Sequence, residues 1–205
     1  MRSLVFIFAV LLTISSGCFL LEGSLRRGNS SVLLMKDHPQ YVEKDAQDKP
    51  MGAVGNLPNR KGETINTIGF YSGGLQTSYF LVVANKKEVY ISRADVLTPD
   101  DQLYQSLGSK FKLKPAEDYA AWSRALQYVK NQSSLPLEIA NDNLIKSKST
   151  HDTASVSYII TRVPGRMHVE YEIVCQSNHK DFYLNAEANQ VAFYMVTGRV
   201  YKRVE

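Results

Sequence analysis

Two runs near the C-terminal end, ASVSYIITRV (154–163) and RMHVEYEIV (166–174), constrain the fold of this chain more than any other feature. Successive side chains of an extended strand point to opposite faces, so apolar residues recurring at period two mark a strand with one buried face. Pro164-Gly165 separates the runs. Setting Val163 against Arg166 brings Ile160 opposite Val169, Tyr158 opposite Tyr171 and Val156 opposite Ile173. All six then share one face, while His168, Glu170 and Glu172 take the other. Pro-Gly prefers a type II turn, whose twist suits a hairpin poorly, so a wider loop is compatible with the same pattern.

Upstream, TINTIGFY, YFLVVA and EVYISR read as strands, the last two joined by a turn at NKK (85–87). Thr98 is suited to cap a helix opened by Pro99, with Asp100 and Asp101 in its first turn and Gly108 as its stop. The longest helical signal begins at Pro115. Tyr119, Trp122, Leu126 and Val129 recur at helical spacing, and Ala116, Ala120 and Ala125 widen the stripe. A final hairpin is expected across Thr197-Gly198, between NQVAFYMV and RVYKRV. It would make Tyr194 and Tyr201 cross-strand neighbours, a candidate partner-binding face. These elements predict an α+β fold: a curved antiparallel sheet with one or two helices packed on one face, after an N-terminal signal and a flexible linker. The globular domain is expected over 64–205.

The N-terminus is basic at Arg2, apolar from Leu4 to Ile14, and then small: Ser15, Ser16, Gly17, Cys18. That order describes an export signal. The stretch SSGC resembles a bacterial lipobox, with Ser15 at the position where leucine is commonest in that pattern. The resemblance implies a signal peptide over 1–17, cleavage before Cys18, and acyl chains on that cysteine. Two other readings stay open. Counting Phe19, Leu20 and Leu21 lengthens the run toward the ~20 residues that span a bilayer, although Arg26 and Arg27 just beyond count against that end being exported. Ordinary signal peptidase could also cut beside Gly17 or Cys18. All three place the body outside the cytoplasm. Residues 18–63 read as a lipid-anchored linker, scattered with proline, glycine and charges of both signs; its one apolar cluster, SVLLM (31–35), is too short for a helix and suits an added edge strand or a contact with a partner. As a coil, ~40 residues reach roughly 35 Å.

The 205-residue chain has 44% apolar residues and a formal charge of +4. This is enough apolar material for a core and too mild a charge for a nucleic-acid binder. With only Cys18 and Cys175, it is not a disulfide scaffold. Cys175 shares the inward parity of Ile173 and reads as a buried thiol; His179, four residues on, is the one conceivable catalytic partner. His38, His151, His168 and His179 have no metal-ligand spacing. HDTAS (151–155) superficially suggests a triad and GFYSGGLQTS (69–78) a phosphate loop, but each reads as a turn beside a strand. No cofactor is expected. The resulting expectation is an exported, membrane-tethered envelope lipoprotein, non-enzymatic, that binds another envelope protein or serves structurally. Its partner at the membrane is the bilayer, reached through Cys18. The rivals are an extracytoplasmic hydrolase and a small-molecule or lipid carrier with a cavity between helix and sheet.

Overall fold

The computed structural model describes residues 23–73, 78–149, 155–178 and 183–203. The fold is α+β, with two antiparallel sheets and three α-helices among the described residues. The chain divides into two compact units, one running to Pro99 and the other spanning Asp100–Lys202.

The first unit holds β1 (Ser24–Leu34), β2 (Gln40–Glu43), β3 (Val54–Asn56), β4 (Thr64–Ser72), β5 (Ser78–Ala84), β6 (Lys87–Ser92) and β7 (Val96–Leu97). They form one sheet in the order β3-β2-β6-β5-β4-β1-β7. A 3-10 turn at Arg93–Asp95 links β6 to β7. Residues 24–56, expected as linker, thus supply three strands. Few of their side chains are buried (Val32 and Leu34 chief among them), so the segment carries little periodic signal although its three strands are backbone-paired.

β5 and β6 are joined at Ala84↔Lys87 by a two-residue turn in which Asn85 (φ 50°) and Lys86 (φ 64°) are both left-handed. This is the backbone that matches the strands' own twist. The apolar run of β5 is buried on both faces. Phe80 and Val82 join Val32, Leu34, Val89 and Ile91 in one cluster. Leu81, between them in sequence, joins Tyr71 and Tyr90 in another.

The second unit holds α1 (Pro99–Ser106), β8 (Lys110–Leu113), α2 (Pro115–Gln132), β9 (Leu137–Ala140), β10 (Leu144–Ser147), β11 (Ser157–Val163), β12 (Val169–Gln176) and α3 (Leu184–Thr197). Its sheet runs β8-β12-β11-β10-β9. The β11–β12 hairpin forms, but Val163 pairs with Glu170, Ile160 with Ile173 and Tyr158 with Cys175. The expected register is displaced by an even number of residues. Side chains alternate at period two, so an even slip keeps every residue on its face, and Tyr158, Ile160, Val169, Tyr171 and Ile173 are all buried. The loop widens because Pro164-Gly165 does not close it alone: a Cβ on Gly165 would lie 2.5 Å from the carbonyl oxygen of His168.

The expected C-terminal hairpin is instead α3. Ala188, Val191, Ala192 and Met195, spaced for one helical face, are buried. Gly198 (φ 72°) ends the helix, its N–H donating to the Tyr194 carbonyl, so it is a left-handed helix stop rather than a strand turn. In α2 the buried stripe is Asp118, Ala121, Ala125, Tyr128 and Val129, and Tyr119 is 87% exposed. These residues, with the inward side chains of β11, β12 and α3, make one apolar cluster. Lys110, Lys112 and Lys146 lie on strands and pair across them: Lys110 with Glu172, Lys112 with Glu170, Lys146 with Glu138. No described helix is long and apolar enough to cross a membrane.

Candidate functional site

Ile68 of β4 sits where two strand pairings break. Against β1, the register steps from Arg27↔Gly69 to Ser30↔Thr67, so Gly28 and Asn29 together oppose Ile68. Against β5, it steps from Thr67↔Val82 to Gly69↔Leu81, leaving Ile68 as an extra residue. These are bulges on both flanks of one strand at one position. Bulges bend and twist a sheet locally and occur preferentially beside functional sites. Beyond Ile68, β1 closes tightly over β4: a Cβ on Gly69 would lie 3.1 Å from the Arg26 carbonyl oxygen.

A cleft of about 410 Å³ opens beside this bulge. Leu57, Pro58, Ile65, Ile68, Val82 and Ala84 give it aliphatic walls, and Asn59, Asn66 and Asn85 add carboxamides. A second, more open depression shares Asn66 and Ile68 and continues past Asn29, Ser30, Ser31 and Thr67. The groove passes from aliphatic to hydroxyl- and amide-bearing wall. Among the described residues no charged one lines either part, although 21% of the chain is charged. Asn66 and Asn85 are exposed; Asn59 donates to Glu63 Oε2 at 2.8 Å. A cleft of this size, with mostly apolar walls and a few orienting amides, suits a neutral ligand.

The titratable clusters of the second unit are internally satisfied. The hydroxyls of Tyr128 and Tyr158 both donate to Glu187 Oε1, at 3.0 and 2.7 Å. Burial, then the neighbouring Glu187 carboxylate, pushes the Cys175 thiol up to about 12. At neutral pH the sulfur is a thiol rather than the thiolate that nucleophilic chemistry needs. Asp118 is held by Arg162, whose Nε donates to Oδ1 at 2.7 Å and whose Nη2 reaches Oδ2, and by the Tyr171 hydroxyl. The Arg162 guanidinium foremost lowers the Asp118 pKa. Arg162 also lies over Trp122, 5.8 Å from the ring, whose other neighbour is Tyr171. These bonds tie α2 to β11 and β12.

The expected tyrosine face does not form. Tyr194 lies on α3 with its ring 5.3 Å from that of Tyr128. Tyr201, beyond the helix, stacks on Tyr104 at 4.0 Å and donates to Asp101 Oδ1 at 2.6 Å. Both are half-buried and pack on the apolar cluster, because a helix replaces the strand that would have presented them. Cys18, His151, Asp152 and His179 lie outside the described residues, as do 74–77 of the glycine-rich turn. Ser155 is buried and accepts a hydrogen bond from Ser134 Oγ at 2.9 Å. His168 is on the surface beside Lys112 and Glu170. No group of His, Cys, Asp or Glu among the described residues is placed to hold a metal ion. The groove residues carry no pattern in the sequence that marks them as a site. Comparison with protein-family models, curated proteins and solved structures finds no match for this chain.

Proposed function

We propose that this chain is an exported envelope lipoprotein, held to a membrane by acyl chains on Cys18, and that its body is a binding module. The groove at Ile68 is its ligand site. The observation that carries this reading is the coincidence of two strand bulges with a cleft free of charged walls. Such a site selects by shape, apolar contact and amide hydrogen bonds, and would reject a strongly charged ligand through desolvation. Another envelope protein presenting a neutral segment is the partner that fits best. The tether rests on the SSGC stretch and the apolar run before it. In the second unit, the shared cluster of α2, α3, β11 and β12 supports a reading in which helices cover one face of a curved sheet.

Two measurements test the proposal. Intact mass spectrometry of the membrane fraction should find a chain beginning at Cys18 with added acyl mass, and Cys18→Ser should abolish both the processing and the mass. A photo-crosslinking side chain at Asn66 should yield a discrete adduct in cells that Ile68→Arg suppresses. Absence of any adduct at Asn66 would remove the groove from consideration.

A further inference from the structure

We infer that the outer edge of β1 pairs with the same edge of a second copy of this chain, joining two seven-stranded sheets about a two-fold axis. β1 is eleven residues long, and β7 covers only Leu33 and Leu34 on its outer side. Continuing that register would set Pro99 opposite Ser31, but proline has no N–H to give, and the chain turns there into α1. Ser24–Val32 is thus paired with β4 on one side, and no described residue bonds its backbone on the other. The Leu34 N–H goes to the Glu63 carbonyl on the β4 side, and the Met35 N–H to the Asp95 carbonyl on the β7 side. Successive residues of an antiparallel strand point opposite ways, so Ser31 holds its N–H and C=O outward. Sheets usually guard such an edge with a short strand, lysines or proline. The end strands β3, β8 and β9 are three or four residues long, and β8 carries Lys110 and Lys112. Ser24–Val32 has neither lysine nor proline, and Ser24 and residues 26–30 are exposed.

Length and charge indicate the occupant. Only another extended backbone offers N–H and C=O groups at the repeat of a strand. The bare stretch is centred on Gly28, so a two-fold axis there lets two copies cover each other's whole edge and leaves neither open. In that register Leu25 meets Ser31, Arg26 meets Ser30 and Arg27 meets Asn29, so no arginine directly opposes another. Arg27 is already held by the Glu88 carboxylate at 2.9 and 3.1 Å. At the centre stands a residue without a side chain, and a Cβ built on Gly28 would have nothing within 4 Å. The pairing does not depend on what the groove takes.

Gly28→Cys reads the contact in membranes from cells making the full chain. Residues directly opposite in an antiparallel pair have Cα atoms about 4.5–5.5 Å apart, within reach of a disulfide. Mild oxidation with copper phenanthroline should convert most of the Gly28→Cys chain to a covalent dimer. The unsubstituted chain, in which Cys175 is buried, should yield little, as should Met51→Cys, a position 74% exposed in the same unit. Ser31→Pro, added to Gly28→Cys, removes the outward N–H but not the bonds to β4, and should cut the dimer yield several-fold with the thermal midpoint unchanged. Ser30→Arg, which sets an arginine against the second copy's Arg26, should also lower the yield, and Ser30→Glu should keep it. Little dimer from Gly28→Cys overturns the inference, as does an equal yield from Met51→Cys. So does a yield from Gly28→Cys that neither Ser31→Pro nor Ser30→Arg reduces.

Discussion

Asp118 and Arg162 are largely buried and depend on each other. The Arg162 guanidinium meets the carboxylate through two nitrogens and the Tyr171 hydroxyl adds a third donor. Removing one member leaves a charge without its partner, so Asp118→Ala should destabilise the chain by about 3 kcal/mol in urea unfolding. Asp118→Asn should cost less, because the amide oxygen still accepts. Glu88 offers a test in pH. Arg27 and Lys44 both bond its carboxylate, which holds its pKa down at about 2. A carboxyl depressed in the folded state contributes stability above its unfolded pKa, near 4.5, and loses it as pH falls toward the folded value. Urea midpoints should therefore drop between about pH 5 and pH 2, and Glu88→Gln should flatten that part of the curve. Were the profiles of the two proteins superimposable, the pairing with Arg27 and Lys44 would not persist in solution.

At the scale of the element, two left-handed positions decide where strands and helices stop. Lys86 carries a side chain at φ 64° in the two-residue turn between β5 and β6. Lys86→Gly should raise the thermal midpoint, with a gain of about 1 kcal/mol, because glycine adopts that backbone without steric cost. Gly198→Ala should do the reverse at the end of α3 by a similar amount. The same two turns show what the sequence makes legible. NKK between apolar runs, Pro115 opening an apolar stripe, and period-two alternation in β11 and β12 are local patterns, and each formed its expected element. The α3 segment misled because Val191, Phe193 and Met195 alternate like a strand. The spacing of Ala188, Val191, Ala192 and Met195 marks the helix, and small alanines weigh little in an apolar count. In the β1–β3 segment only SVLLM hints at a strand, for another reason: the order of the rest comes from backbone pairing with β4 and β6, which side chains do not announce. The groove is less legible still. The bulge at Ile68 depends on register between β1, β4 and β5, and register between distant strands is set by the whole unit.

For the whole molecule, the charge pattern bears on what the groove can take. The groove of the first unit offers amides and aliphatic wall. Asn66→Asp should weaken capture of a neutral partner at least several-fold, since it places a carboxylate where the ligand brings no cation. The measurement is adduct yield from a photo-crosslinking side chain at Asn85 on the same groove. β1 begins at Ser24, about six residues after Cys18. If fatty chains sit on that cysteine, the leash is at most ~20 Å long, well short of what a forty-residue coil would allow. The first unit would then patrol a thin shell just above the headgroups, so whatever it captures must itself live close to the bilayer.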